Sequence, residues 1–304
     1  MKIYLYGMIC VSNSFRINEF PKPDEYTEIQ DSARFIGGET GTCANVLSSL
    51  GADVRIDGTH IGRSMTELTR DFYSGKSVDL GSLTFDESFE GLEDHILISG
   101  DVRTPLGRFG HFFGDFYSGG AKHWNEPKER DVIWCDTAAI DDCFGEDSQR
   151  CAELCVSHGK PYVTIDCKYD SYIHRHAAVT VISGEALGMH YGDVTRAEMF
   201  PFYAENSGGL TIITNGGGEF FYGRRGEPVR KFTPFKVKAA STLGAGDTFK
   251  AGCTYALTNG MSDEETVRFA SACAAVAVSR YPSQLAPPTL RETVQLMGKN
   301  KADM

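Results

Sequence analysis

STLGAGDTFKAG, at residues 241–252, places small residues and an aspartate where a helix is expected to begin. The first turn of a helix leaves its backbone N–H groups without partners and carries partial positive charge, so it attracts anions. Glycine and alanine at this point let a phosphate approach the bare backbone. We expect the helix to run from about 245 to 258, with Asn259 and Gly260 as its C-terminal stop.

Asp247, in the first turn of this helix, has two interpretations. A first-turn acid interacts favourably with the helix dipole, which contributes a few tenths to about 1 kcal/mol. Alternatively, the carboxylate is a general base beside a bound phosphate and takes the proton of a hydroxyl that attacks phosphorus. The stretch contains neither GxxxxGK[ST] nor GxGxxG, which disfavours a Walker loop and a dinucleotide site. Spacing alone leaves both interpretations open.

A second glycine cluster lies in FIGGETGTCANVLSSLGADV, at residues 35–54. Gly37 and Gly38 precede an expected helix that ends at Gly51, and a strand follows. The glycine pair is either a tight turn that packs the helix on a sheet or a place where a ligand lies against bare backbone.

Short apolar, β-branched segments alternate with helical segments along the whole chain. The predicted strands are 2–7, 53–57, 95–99, 131–135, 161–166, 178–183 and 210–214. Helices are predicted at 148–158 and at 262–280, the second with Ser262 and Glu265 as a capping box. This alternation predicts an α/β protein with a mainly parallel sheet covered on both faces. The length fits one large domain or two smaller ones; since the chain shows no linker or internal repeat, we expect one domain over 1–304.

Two segments, 12–36 and 101–122, interrupt the alternation and are expected to leave the central sheet. The second is predicted to be hairpin-like and carries a group of aromatic residues: Phe109, Phe112, Phe113, Phe116 and Tyr117. In an acidic chain, such aromatics favour packing or an oligomer contact over base stacking.

Composition and charge limit the classes of function. The 304 residues are 41% hydrophobic and 23% charged, which is ordinary for a folded protein with a large core. A net charge of -11 argues against nucleic acid as a partner, although a helix terminus can still bind a small anion. No segment approaches the roughly 18 apolar residues of a membrane span. Nine cysteines without framework spacing favour a reducing cytoplasm.

Together, GGETGTCANVLSSLGA at 37–52 and STLGAGDTFKAG at 241–252 resemble the two signatures of the PfkB/ribokinase family of carbohydrate kinases. Their order and separation also match, and the resemblance covers essentially the whole chain. It implies a ribokinase-like three-layer αβα sandwich, with 12–36 and 101–122 as strands of a small β lid. It further implies an enzyme that uses ATP and Mg²⁺ to phosphorylate a hydroxyl of a sugar-like small molecule.

The resemblance also implies roles for the residues around Asp247. Asp247 would be the catalytic base. The backbone N–H groups of Gly244, Ala245 and Gly246 would form the anion hole, and Gly244 and Gly246 would also contact the nucleotide.

Other nucleotide and metal residues follow from the same resemblance. Thr214 and Gly216 match the loop that lies along the nucleotide. Glu185 falls at the acid of a magnesium-organising NxxE motif. The asparagine position of that motif is occupied by Ile182, which departs from the family pattern.

The chain departs further from the family pattern where the acceptor is bound. The expected acceptor residues are Ser12, Asn13, Gly37, Gly38, Thr42 and Arg103. Where the family pattern has an aspartate that holds sugar hydroxyls, this chain has Ser12. Where the pattern has an asparagine after the glycine pair, it has Thr42, and where an aspartate opens the GAGD motif, it has Ser241. We therefore expect an acceptor other than plain ribose or fructose, such as one with a negative charge or an amine-linked substituent. Arg103 either meets a carboxylate or phosphate of that acceptor or is a solvated surface residue.

Two hypotheses of different classes stay open. The first is a kinase, with a nucleoside as a narrower choice of acceptor. The second is a catalytically weak or inactive relative that binds a sugar or nucleotide as a sensor. The retained Asp247 favours the enzyme. We also expect a homodimer through the aromatic lid, with neither nucleic acid nor a membrane as partner.

Overall fold

The computed structural model of the protein describes residues 1–299. It contains a nine-stranded sheet, a four-stranded sheet and a short two-stranded sheet. Within residues 1–299, no helix has the length and apolar character needed to cross a lipid bilayer.

The strands of all three sheets are numbered in chain order: β1 (Lys2–Gly7), β2 (Cys10–Ile17), β3 (Ile29–Gly37), β4 (Asp53–Gly58), β5 (Ile61–Gly62), β6 (Val78–Asp79), β7 (Phe85–Asp86), β8 (Glu93–Ser99), β9 (Val102–Gly107), β10 (Thr137–Asp141), β11 (Tyr162–Ile165), β12 (Val179–Ile182), β13 (Leu210–Ile213), β14 (Phe220–Gly223) and β15 (Arg230–Phe232).

The helices are numbered in the same way: α1 (Glu39–Ser49), α2 (Thr66–Tyr73), α3 (Phe109–Tyr117), α4 (Glu129–Trp134), α5 (Glu146–Ser157), α6 (Tyr172–His176), α7 (Gly184–Tyr191), α8 (Arg196–Asn206), α9 (Ala245–Thr258), α10 (Asp263–Val278) and α11 (Leu290–Lys299).

The central sheet has the strand order β15-β14-β13-β12-β11-β10-β1-β4-β6. Its pairs are parallel from β6 to β13, and only β13–β14 and β14–β15 are antiparallel. The carboxyl ends of the parallel strands therefore meet at one edge, where open α/β sheets bind their ligands.

Alternating side chains of β1 divide the core into two layers. Ile3 and Leu5 pack with the buried face of α1, α9 and α10, whereas Tyr4 and Tyr6 pack on the opposite side with α4 and α5. Helices thus cover both faces of the sheet, and the predicted αβα sandwich is confirmed.

The second sheet has the order β3-β2-β8-β9. Segment 12–36 supplies most of β2 and β3, and segment 101–122 supplies β9. The prediction of 95–99 as a strand of the central sheet is wrong, because β8 pairs with β2 and β9. Only alternate residues of β8 are buried, namely Asp94, Ile96 and Ile98, as befits a sheet covered on one face.

Two further predictions are wrong in detail. Residues 131–135 do not form a strand: α4 ends at Trp134, and β10 begins three residues later. Val132 is buried within this helix, and the buried Cys135 follows it as the extended C-cap residue. Segment 101–122 is not wholly strand either, because 109–117 is helix α3.

The aromatic residues of α3 explain why this segment is helical. Phe109, Phe112, Phe113 and Phe116 have the i, i+3, i+4, i+7 spacing of one helix face. Phe112 is buried, and its ring lies 5.6 Å from that of Trp124. Packing within the chain therefore accounts for most of these aromatics.

Candidate active site

Helix α9 begins at the carboxyl edge of the central sheet. The predicted limits of 245 and 258 are confirmed, and Asn259 is its C-cap. The strands β10 and β11 end at Asp141 and just before Asp166, so both carboxylates lie at the edge from which α9 starts. Asp141, Asp166 and Asp247 are close enough for the charges of the first two to raise the pKa of the third.

The N-terminus of α9 has the geometry of an anion site. Gly244 is its N-cap with a left-handed φ of 74°, and a Cβ there would lie 2.6 Å from Nε2 of Gln284. The N–H of Ala245 donates to the Thr242 carbonyl at 3.2 Å. Over residues 1–299, no acceptor lies within hydrogen-bond reach of the N–H groups of Gly244 and Gly246. These two groups remain available to a ligand.

Gly246 has no packing reason to be glycine. A Cβ at this position would meet only Cδ1 of Ile165, at an ordinary contact distance of 3.8 Å. The fold therefore leaves room for a side chain here, and glycine permits a ligand to approach the backbone closely.

Asp247 is half-buried in the first turn of α9. The pKa of its carboxyl group is raised to about 6: burial is the largest cause, the charges of Asp141 and Asp166 add to it, and those of Lys250 and Arg103 oppose it. A carboxyl group with this pKa is ionised at pH 7 but holds a proton far more readily than an exposed aspartate. Such a group suits a general base.

Lys250 lies one turn further along α9 and is fully buried. Its ammonium group forms an ion pair with Oδ1 of Asp141. Oδ2 of Asp141 accepts hydrogen bonds from the Met8 N–H at 3.0 Å and from the Thr40 hydroxyl at 2.7 Å. Burial alone would lower the pKa of Lys250, but the Asp141 carboxylate outweighs it and the pKa is raised. The pair fixes the start of α1 and the interior of α9 to the end of β10.

Two more acidic residues, Glu39 and Asp166, lie near Asp247. Burial raises the pKa of Glu39, in the first turn of α1, and the charges of Asp141 and Asp247 add to the effect. Asp166 has a positive φ of 55°, and its carboxylate accepts hydrogen bonds from the Ser183 N–H and hydroxyl at 2.6 and 3.1 Å.

The sequence analysis missed Glu39, Asp141, Asp166 and Lys250. A usable signal for Asp141 and Asp166 was an acid at the end of a buried strand.

A cleft of about 510 Å³ opens beside the N-terminus of α9. The expected nucleotide residues Thr214 and Gly216 line it together with Ala245 and Gly246. Its apolar wall consists of residues from β14, the 234–239 segment and α10: Phe220, Phe235, Val237, Ala274, Ala275 and Val278. The structure therefore brings the two predicted nucleotide stretches to one cleft.

Glu185 and Arg103 contact each other and lie near Asp166 and Asp247. Glu185, in the first turn of α7, is exposed, and its Oε2 lies 3.5 Å from Nη2 of Arg103 on β9. Since Arg103 also lowers the pKa of Asp247, its guanidinium lies near both acids. The Thr242 hydroxyl donates to the Asp101 carbonyl at 2.9 Å, so the β8–β9 turn contacts the loop before α9.

The glycine pair before α1 has a packing explanation. A Cβ at Gly37 would lie 2.2 Å from Oγ of Ser12, and Gly38 has a φ of 76° with the Met8 carbonyl 2.5 Å from its Cβ position. Thr42 is buried and lies 3.3 Å from where a Cβ at Gly244 would be. These residues hold α1, β2 and the start of α9 together.

Asn13 and Asp94 occupy neighbouring strands of the second sheet. The Asn13 amide donates to the Glu93 carboxylate and, at 3.2 Å, to the Asp94 carbonyl. Asp94 pairs in register with Ser12, and its carboxylate is buried. Within residues 1–299, Oδ1 of Asp94 has no hydrogen-bond partner. The sequence analysis did not identify Asp94.

Known proteins resemble this chain in sequence over part of its length. Residues 200–290 match the model of the pfkB family carbohydrate kinases. A 5-dehydro-2-deoxygluconokinase of Halalkalibacterium halodurans is 32% identical over 105 residues, which are 34% of this chain and 31% of that protein. The matched part thus spans about a third of the length of that curated relative.

Solved structures match over nearly the whole chain. A putative ribokinase from Agrobacterium tumefaciens has a TM-score of 0.84 at 20% identity and covers 99% of this chain and 98% of its own. A putative Ribokinase II from E. coli, in complex with ATP and Mg²⁺, has a TM-score of 0.79 at 15% identity and covers 98% and 99%. The family resemblance is thereby confirmed: the chain has the ribokinase fold, and its residues 200–290 match the pfkB family of carbohydrate kinases.

Proposed function

We propose that the protein is an ATP-dependent carbohydrate kinase that phosphorylates a hydroxyl group of a sugar or sugar-derived molecule. One observation carries the proposal: the start of α9 combines the free N–H groups of Gly244 and Gly246 with the Asp247 carboxyl group, and Ala245 and Gly246 line a cleft of about 510 Å³. The ATP-bound relative of the same fold supports a nucleotide in that cleft.

In the proposed reaction, Asp247 orients the acceptor hydroxyl and takes its proton. The hydroxyl oxygen forms a bond to the γ-phosphorus as the bond between that phosphorus and the bridging oxygen breaks, and ADP leaves. The N–H groups of Gly244 and Gly246 stabilise the charge on the transferring phosphoryl oxygens. The N–H of Ala245 is a weaker member of this anion hole, because it already donates to the Thr242 carbonyl.

Glu185 and Asp166 are the carboxylates that we propose for Mg²⁺. They are close enough for the charge of Glu185 to raise the pKa of Asp166, and carboxylate oxygens are the protein ligands that Mg²⁺ prefers. When bound, the ion would neutralise charge on the phosphate oxygens. Arg103, which contacts Glu185, would add positive charge on the same side.

The second sheet would supply the acceptor pocket, with Ser12, Asn13, Gly37, Gly38 and Thr42 as its expected residues. Asp94 is the residue that we add to this set. Its unpartnered, buried Oδ1 needs a donor, and a hydroxyl of the acceptor would satisfy it. Asp94 would thus supply, from the neighbouring strand, the carboxylate that Ser12 lacks. Closure of this sheet as a lid would exclude water from the reaction.

Acceptor-dependent ADP release from Mg-ATP tests the proposal. A panel of pentoses, hexoses, ketoses, sugar acids, amino-sugar conjugates and nucleosides is assayed, with ATP binding measured in parallel by calorimetry. The kinase predicts ADP release that depends on one class of acceptor. Tight ligand binding with no ADP release across the panel would instead establish the sensor.

Asp94→Asn tests the acceptor pocket, with Asp31→Asn on the exposed part of β3 as the matched control. Because the neutral amide oxygen is a weaker acceptor than the carboxylate, the KM of the acceptor is expected to rise about 10-fold while the affinity for ATP is unchanged. Equal KM values in the two variants would exclude Asp94 from the pocket.

We also propose a cytoplasmic location and a homodimer. All nine cysteines are free thiols, as a reducing compartment requires. Val102 and Leu106 of β9, the edge strand of the second sheet, are 56% and 55% exposed and offer an apolar contact. A monomer in light scattering at micromolar concentration would exclude the dimer.

A further inference from the structure

Three side chains outside the proposed active site converge on one point. His60 follows β4, Asp86 ends β7, and His123 lies between α3 and α4. Their candidate ligand atoms lie within 4.8 Å of one another. The side chains are 16%, 19% and 23% exposed, so the group is mostly buried but reaches solvent.

The distances fit a metal ion better than they fit hydrogen bonds. Nδ1 of His60 and Nδ1 of His123 each lie 3.4 Å from Oδ2 of Asp86. Hydrogen bonds from a ring nitrogen to a carboxylate oxygen are shorter, about 2.7–2.9 Å when charged. Tetrahedral Zn²⁺, with ligands at about 2.0–2.1 Å, separates neighbouring ligand atoms by about 3.3–3.4 Å. The two observed distances therefore match two edges of a zinc coordination tetrahedron.

The surrounding residues hold the ligands in this orientation. Oδ1 of Asp86 accepts bonds from the Ser88 N–H at 2.9 Å and the Ser88 hydroxyl at 2.6 Å, which leaves Oδ2 for the ion. Phe89 stacks on the His123 ring with the centroids 4.1 Å apart. The His60 N–H donates to the His123 carbonyl at 2.8 Å and fixes the two segments to each other. Such supporting contacts are typical of metal sites.

We propose that His60, Asp86 and His123 bind Zn²⁺ at a site separate from phosphoryl transfer. Two imidazoles and one carboxylate suit Zn²⁺, and the solvent-facing side leaves the fourth position to water. The proposal does not depend on the kinase activity.

The positions of the ligands in the chain indicate what the ion does. Asp86 lies seven residues before β8, and His123 follows the β9–α3 segment, so these ligands lie on the connections into and out of the β8–β9 hairpin. His60 lies directly after β4 of the central sheet. The bound ion would therefore fix both ends of the hairpin to the central sheet and set the position of the second sheet.

The test measures binding of Zn²⁺, and of Co²⁺ as a spectroscopic probe, to the full chain after treatment with a chelator. The native protein is expected to bind one equivalent and to give the visible absorption of four-coordinate Co²⁺. His60→Ala, His123→Ala and Asp86→Asn are each expected to weaken binding by about 100-fold or more. His158→Ala is the matched control, because His158 also pairs with an acid, Glu129, at 2.8 Å, but within residues 1–299 belongs to no group of three candidate metal ligands.

Several results would overturn the proposal. One is that the native chain binds no Zn²⁺ at about 100 μM. Another is that His60→Ala and His158→Ala bind Zn²⁺ with equal affinity. X-ray absorption of the Zn²⁺-loaded native chain keeps the test decisive if a variant does not fold. Two imidazoles and only nitrogen or oxygen ligands support the site, whereas sulfur ligands would show that the ion binds to cysteines instead.

Discussion

Replacement of Lys250 by methionine would leave a buried carboxylate without its charged partner. Lys250 is 0% exposed and its ammonium group is the donor to Oδ1 of Asp141. In the variant, the Met8 N–H and the Thr40 hydroxyl still reach Oδ2, but no side chain of the described residues donates to Oδ1. Removing one partner of a buried ion pair costs about 3–5 kcal/mol. Since half of the Asp141 carboxylate stays hydrogen-bonded, we expect a loss of about 3 kcal/mol in the free energy of unfolding.

Urea unfolding followed by circular dichroism measures this loss. Lys231→Met is the control, because Lys231 and Glu219 form an ion pair at 2.9 Å whose side chains are 58% and 48% exposed. Exposed pairs contribute less than about 1 kcal/mol. The double variant Lys250→Met, Asp141→Asn should be more stable than Lys250→Met, because no charge is left buried. A Lys250→Met variant as stable as Lys231→Met would refute the reasoning.

Three further outcomes are expected. With the pKa of Asp247 at about 6, kcat/KM should fall about tenfold per pH unit below pH 6, because a protonated base cannot accept the hydroxyl proton. Lys250→Met should move this inflection to higher pH, and a pH profile of kcat/KM that is flat from pH 8 to 5 contradicts the prediction. Gly246→Ala should change the free energy of unfolding by no more than about 1 kcal/mol yet lower the affinity for ATP at least tenfold in calorimetry, and an unchanged ATP affinity would exclude the anion hole. Gly244→Ala should instead destabilise the fold by about 1–2 kcal/mol, because Gly244 has a positive φ. Glu185→Gln should raise the Mg²⁺ concentration for half-maximal turnover several-fold, and an unchanged requirement would remove Glu185 from the metal site.

Local signals predicted the parts of the site that depend on a short stretch of chain. The glycines, the first-turn acid and the Asn259–Gly260 stop gave the limits of α9, and Ser262 with Glu265 forms the expected capping box of α10. Helix caps are local, so a sequence contains most of the information that determines them.

Contacts between distant segments could not be predicted in the same way. Asp94 faces Ser12 only because β8 pairs with β2 in one register, and Lys250 meets Asp141 only because α9 packs against β10. The strand order that creates these contacts is a property of the whole sheet. The short apolar segment at 131–135 was assigned to a strand because its length fits a strand and a buried helix equally well.

The central claim is that Asp247 activates an acceptor hydroxyl beside a phosphate held at the start of α9. Its most direct test is the rate of formation of the phosphorylated acceptor from Mg-ATP, followed by phosphorus NMR, in the native chain and in Asp247→Asn. Asp263→Asn, in the first turn of α10, is the control for a first-turn acid that lies outside the site. We predict that Asp247→Asn keeps its fold and its affinity for ATP but forms product at least about 100-fold more slowly, since general-base catalysis contributes 10²–10⁴-fold. Product formation at the native rate in Asp247→Asn would contradict the account.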